Sequence, residues 1–358
     1  MTAVLFSGAL LLALIGLALL PSLLELRRPT DVEPLRVPKD HDNHVFRFAA
    51  SYRTRLESVF GAPLQRSLAD GAAAQRAREH GMTLVDASAS SDPDWSQPLA
   101  CAGVLSIPAG TDVPQEIYAA SELRIGRASI VRAALSDGVA TLHRDACVTR
   151  WLHARRVRLD TGSRVQARVS ADESIELAPG VELLRSHAPV VRVAGTAPAS
   201  AQAPDSASES MPRYAGELGS GDARKASSQW DAAGGRWIVF QDMRLAPRTR
   251  VCGHLIVRGD AHLGAGSRVE GSLKVHGRLT MDEGVRVDGA CVAACDARIG
   301  AASRIAGPLV CEGRLEMHGA TTVGDPARLT SVTGEEVLMH GGACVHGTVW
   351  GKSWVRTL

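Results

Sequence analysis

From Val251 onward every sixth residue is apolar: Val251, Val257, Leu263, Val269, Val275, Met281, Val287, Ala293, Ile299, Ile305, Cys311, Met317, Val323 and Leu329. In a chain that is 45% apolar, chance yields such a run in roughly one frame in 10⁵. Glycine stands two residues after eight of these positions, as Gly253, Gly259, Gly271, Gly277, Gly289, Gly307, Gly313 and Gly319. The hexads group in threes, so that 253–270, 271–288, 289–306 and 307–324 align as successive rows of equal length. Down the columns Leu255, Leu273, Cys291 and Leu309 stack, as do Val257, Val275, Ala293 and Cys311. Two inward positions two residues apart are the alternation of a strand, and glycine suits the sharp turn between strands. The predicted fold is therefore all-β: a triangular parallel β-helix of about 18 residues per coil, with coils rising by about 4.8 Å.

Composition agrees. Aromatic residues make up only 4% of the chain against 35 glycines, which fits thin repeated layers better than a ring-filled globular core. The apolar content rules out disorder of the whole chain. Before the clear repeat lies a more ragged one. Ile107, Val113, Ala119, Ile125 and Val131 keep the hexad step, and so do Leu159, Val165, Ala171, Leu177 and Leu183. Between Leu135 and Val157 the phase slips, which predicts an irregular coil or an insertion. Residues 96–195 are thus a β-helix-like region and residues 236–358 a second β-helix.

The flanks differ. Met1–Leu24 carries no charge and is long enough to span a bilayer; residues 1–25 are expected to form a transmembrane helix. Arg27 and Arg28 follow it, which places the bulk of the chain in the cytoplasm by the positive-inside rule. Seven irregularly spaced cysteines agree with a reducing compartment. Residues 26–95 form a juxtamembrane stalk and helical region, in which Phe46, Tyr52, Leu56, Phe60 and Leu64 recur near helical spacing. They fit amphipathic helices at the membrane or a helical cap on the next domain. Residues 196–235 hold a single leucine and no Val, Ile or Phe, the composition of a flexible linker. The expected picture is two solenoids on one tether.

No catalytic constellation emerges. Cys291 and Cys311 fall in inward columns, where cysteine packs as a small apolar residue. His254, His262, His276, His318, His340 and His346 scatter over different columns, and no general base can be chosen among them. The excess of 36 Arg over four Lys reads as a compositional preference. Ten arginines against four acids over 122–168 read as a solvated face, so nucleic acid is not an expected partner. Two hexads, Leu263–Arg268 and Ile299–Arg304, match the aliphatic-Gly-x-x-small-x pattern of hexapeptide acyltransferases, the alternative reading with an acyl-CoA donor. Leu273, Leu279, Val285, Leu309 and Leu315 break that pattern at its small position.

The units Gly253-His-Leu-Ile-Val-Arg-Gly259, Gly271-Ser-Leu-Lys-Val-His-Gly277 and Gly307-Pro-Leu-Val-Cys-Glu-Gly313, tiled at the three-hexad interval, resemble the core of the bactofilins, polymer-forming bacterial cytoskeletal proteins. The resemblance covers about residues 236–332. It implies a right-handed β-helix that stacks end to end into filaments without nucleotide or other cofactor. The expectation is a non-enzymatic scaffold at the bacterial inner membrane, with itself and client proteins as partners. The ends of the second solenoid carry aromatic residues that could cap a coil or meet another subunit: Trp237 and Phe240 at its start, Trp350 and Trp354 at its finish.

Overall fold

The structure is a computed structural model that describes residues 46–85, 93–195 and 228–358. The expected membrane segment Met1–Leu24 lies outside them. Among the described residues no helix is long and apolar enough to cross a membrane.

The second solenoid has three faces, each a ladder of short parallel strands. One ladder steps from Arg236–Val239 through His254–Val257, Leu273–Val275, Cys291–Ala293 and Leu309–Cys311 to Thr330–Met339. The pairing puts Leu255, Leu273, Cys291 and Leu309 in one register, and Val257, Val275, Ala293 and Cys311 in another. Every one of these residues is buried. The hexad column is buried from Val251 to Val323, but Leu329 is 45% exposed. The reason is an insertion. Met317 pairs with Met339 rather than with Glu335, three hexads on, and the extra residues form the turn Asp325–Arg328. The phase therefore breaks before Leu329.

The glycines stand at the corners, for a different reason than turning. Of the eight, only Gly253 has a positive φ. At Gly271 an added Cβ would lie 2.6 Å from the carbonyl oxygen of Gly253 in the coil below. The left-handed positions form another column, Arg248, Gly266, Gly284, Ala302 and Ala320.

The first solenoid starts earlier than residue 96, since Thr83–Val85 pairs in parallel with Leu99–Cys101. Its hexad residues are buried on both sides of the phase slip. The slip is a shortening rather than an insertion. Val131 pairs with Val148 and Val148 with Val165, so each of these coils falls one position short of three hexads. A bulge between Ser136 and Val139 accompanies it. Helices α1 (Arg47–Phe60), α2 (Leu64–Leu68) and α3 (Ala73–Glu79) pack on the outside of this solenoid. Tyr52, Leu56, Phe60 and Leu64 meet Tyr118, Leu135 and Trp151 there. Of the two arrangements that the spacing allows, the described helices take the cap.

The two solenoids do not hang separately. The last strand of the second, Cys344–Thr357, pairs antiparallel with the last strand of the first, Glu182–Val193. Both solenoids thus run toward a shared tail-to-tail joint, and a single apolar core extends from Leu99 to Val355. Along the face that the joint closes, seven rungs of the first solenoid, from Thr83–Val85 to Glu182–Val193, meet seven of the second, about 13 turns from end to end. The linker is also shorter than its composition predicts. Ser228–Asp231 folds back as a hairpin on Arg236–Val239, where Trp230 and Trp237 sit 5.1 Å apart. Residue 195 ends at the joint and residue 228 begins at the far end, about six rungs or ~29 Å away.

Candidate functional site

Trp350 and Trp354 lie within the joint, not on a free end. Val349 pairs with Val332 on one side and Ser186 on the other, and Trp350 faces Arg185 across the antiparallel register. The guanidinium of Arg185 lies 5.4 Å from the Trp350 ring, and Arg356 lies 4.8 Å from that of Trp354. Arg356 also forms an ion pair with Glu182 across the joint. The Thr357 hydroxyl donates to Ala178 O and accepts from Val181 N. His187 Nδ1 lies 2.8 Å from Thr348 Oγ1, and His346 Nδ1 lies 3.0 Å from Pro189 O.

The opposite end of the second solenoid is open. Met243–Leu245 and Arg250–Val251 pair only with the coil that follows them, among the described residues. The hairpin covers the third edge and leaves Trp230 43% and Phe240 52% exposed. Trp237 is half-buried against the core. Unpaired strand edges beside exposed rings are surfaces that another chain can extend.

The outer faces carry charge ladders. Arg250, Arg268, Arg286 and Arg304 stand in register, one per coil. Arg250 pairs with Glu270 and Arg268 with Asp288, each reaching one coil onward. The bond from Arg250, opposed by burial, holds the Glu270 carboxyl below its usual range. Arg268, Arg286 and Arg304 line a shallow groove of about 460 Å³ with Asp288, Asp325 and His346. The arginine abundance that looked like a composition bias is thus partly an ordered column.

Cys291 and Cys311 pack inward. Burial pushes the Cys291 thiol up to about 12 and the Cys311 thiol up to about 11. Cys311 Sγ lies 2.8 Å from Cys295 O. The serines of the two acyltransferase-like hexads, Ser267 and Ser303, are buried at corners, where Ser303 Oγ donates to Asp282 O. One cluster among the described residues has no signature in the hexad count: Glu316, His318 and His340 bring one ligand atom each within 4.8 Å of one another. His340 stands over His318 because of the lengthened coil, and no multiple of the hexad predicts that.

At the helical cap, Tyr118 donates to Asp137 (2.6 Å), which also pairs with Arg53 of α1. Nearby His153 is buried, with Nδ1 2.9 Å from Ser170 Oγ and Phe46 edge-on to its ring. Burial, aided by Arg53, lowers its pKa against the opposing pull of Asp172 and Asp137. The folded chain holds His153 neutral, while the unfolded chain takes up a proton below the ordinary value of 6.5. Its contribution is present above that value and is lost as pH falls from there through the folded value. Chemical denaturation at about pH 7.5 and about pH 5.5 should show weaker folding at the lower pH. His153→Gln should reduce that difference, and an undiminished difference in the variant would exclude His153 as its source.

Compared with protein-family models, with curated proteins and with solved structures, the chain finds no match.

Proposed function

We propose that the chain is a non-catalytic, bactofilin-like scaffold, anchored at the bacterial inner membrane by Met1–Leu24, that associates with itself through the start of its second solenoid and holds client proteins along its length. The observation that carries this reading is the tail-to-tail joint. It consumes the finishing ends of both solenoids, so only their starting ends remain for assembly. Half-buried Val85 and Trp95 pack on the core of the first solenoid. At the second, two strand edges stand unpaired beside exposed Trp230 and Phe240. A second copy presenting the same end supplies matching edges, and such a self-complementary contact closes as a two-fold pair. Growth into a filament would need the first solenoid's start as well.

The charged ladders suit the rest of the role. The arginine column of four successive coils and its ion pairs to Glu270 and Asp288 keep the flank soluble, and a described solenoid about 62 Å long along its stack offers many positions to clients. Anchoring would raise the local concentration of the free ends.

Sedimentation of the full-length chain in detergent tests this. The expected result is a concentration-dependent monomer–dimer equilibrium. The double substitution Trp230→Glu and Phe240→Glu should shift it at least tenfold toward monomer, about 1.4 kcal/mol, with little change in melting. A wild-type chain that stays monomeric would refute the reading, as would filaments indifferent to the double substitution.

A further inference from the structure

Glu316 and His318 are two residues apart on one extended stretch and so face the same side. His340 comes from the next rung. Glu316 Oε1 lies 3.0 Å from His340 Nε2 and 3.4 Å from His318 Nε2. The two imidazoles stack with centroids 4.5 Å apart and planes 14° apart. Arg298 Nε donates to His318 Nε2 at 3.0 Å. That bond puts a lone pair on the nitrogen that faces the carboxylate, the form a metal requires.

Two imidazoles and one carboxylate are a borderline donor set. They suit zinc and its neighbours, whereas calcium and magnesium prefer all-oxygen cages. All three side chains are half-buried, so they are partly ordered before an ion arrives. Beside His318 a groove of about 290 Å³, lined also by Asp282, Arg298 and Gly300, leaves room for water on the open side. We propose that Glu316, His318 and His340 bind one divalent transition-metal ion of the zinc class, with the remaining coordination position turned to this groove.

The ion would act as a clip. Its ligands flank the one lengthened coil of the second solenoid, between Met317 and Met339. Without that lengthening, Glu336 rather than His340 would follow His318 by one regular coil of three hexads. Binding asks two movements of the site. The stacked rings must open so that both Nε2 atoms converge, and the Arg298 side chain must swing away from His318. Arg298 belongs to an exposed position, so it has room to leave. Its positive charge nonetheless opposes a second cation, and that gives the proposal a distinctive test.

The full-length chain, stripped with a chelator, would be titrated with Zn²⁺ against a chromophoric competitor. The expected stoichiometry is one ion per chain, with a higher melting midpoint in its presence. His340→Ala and Glu316→Gln should each weaken binding on the order of tenfold or more. Arg298→Ala should tighten it, an effect that a purely structural ion-pair cluster would not produce. Loading with Co²⁺ should give a visible spectrum without thiolate charge-transfer absorption, which separates this site from the seven cysteines. Melting of each metal-free variant checks its folding. If His340→Ala does not fold, Glu316→Gln and Arg298→Ala decide. Absence of Zn²⁺ binding, binding unchanged by these substitutions, or a thiolate spectrum would each overturn the assignment.

Discussion

Gly271→Ala should destabilise the second solenoid far more than Gly266→Ala, although Gly266 is the residue with the left-handed backbone. Gly266 has φ +67, yet a Cβ there meets nothing closer than Arg248 Cγ at 3.6 Å. The same column already holds Ala302 at φ 57 and Ala320 at φ 59. Gly266→Ala therefore costs the left-handed penalty of an L-residue, about 1 kcal/mol. Gly271 has no such strain, but its Cβ would sit 2.6 Å from Gly253 O, 2.7 Å from Gly253 C and 2.8 Å from His254 N. All three are backbone atoms of the adjacent coil. They are fixed by ladder pairing above and below, so the coils must part locally. Overpacking of that kind costs about 3 kcal/mol. Chemical denaturation of both variants beside the parent chain reads the difference, and the reverse order would show that corner glycines serve turning rather than close stacking.

The corner glycines divide what the sequence makes legible from what it conceals. The columns Leu255–Leu309 and Val257–Cys311 were visible because a strand alternates every two residues and each regular coil repeats after three hexads. Glycine position was equally visible, but its cause was not, since a close approach between coils leaves the same letter as a left-handed turn. In the first solenoid the period itself changes. The shortened coils between Val131 and Val165 shift the phase by one position each and look like an interruption. The His318–His340 pair escaped for the converse reason, because the turn at Asp325–Arg328 moved the partner off the lattice. The joint leaves the least trace in the sequence. The alternation of Val345, Val349 and Val355 demands burial on one face without naming the surface that buries it. A partner strand from the other solenoid, paired antiparallel, has no periodic signature. The picture of two independent solenoids fails at that point.

The joint also carries the largest expected change in assembly. Val349 is fully buried between Val332 and Ser186. Val349→Asp would place an unpaired carboxylate in that layer, a loss of about 3–5 kcal/mol by comparison with broken buried ion pairs. Each solenoid keeps its own parallel ladders, so the charge separates the halves rather than unfolding both. Two finishing ends then become open edges, and that of the first solenoid keeps its buried Val191 and Val193 intact for a new neighbour. With the finishing ends added to the start of the second solenoid, the variant should form larger and more polydisperse assemblies by light scattering than the pairs expected of the parent chain. Hydrogen exchange should accelerate in Glu182–Val193 and Cys344–Thr357 while Leu273–Val275 stays protected. Trp350→Ala is the informative contrast. Trp350 is larger but 41% exposed, and its removal should alter neither particle size nor protection of the joint. If Val349→Asp also leaves both unchanged, the last strands do not hold the solenoids together, and the limit on assembly must come from elsewhere in the chain.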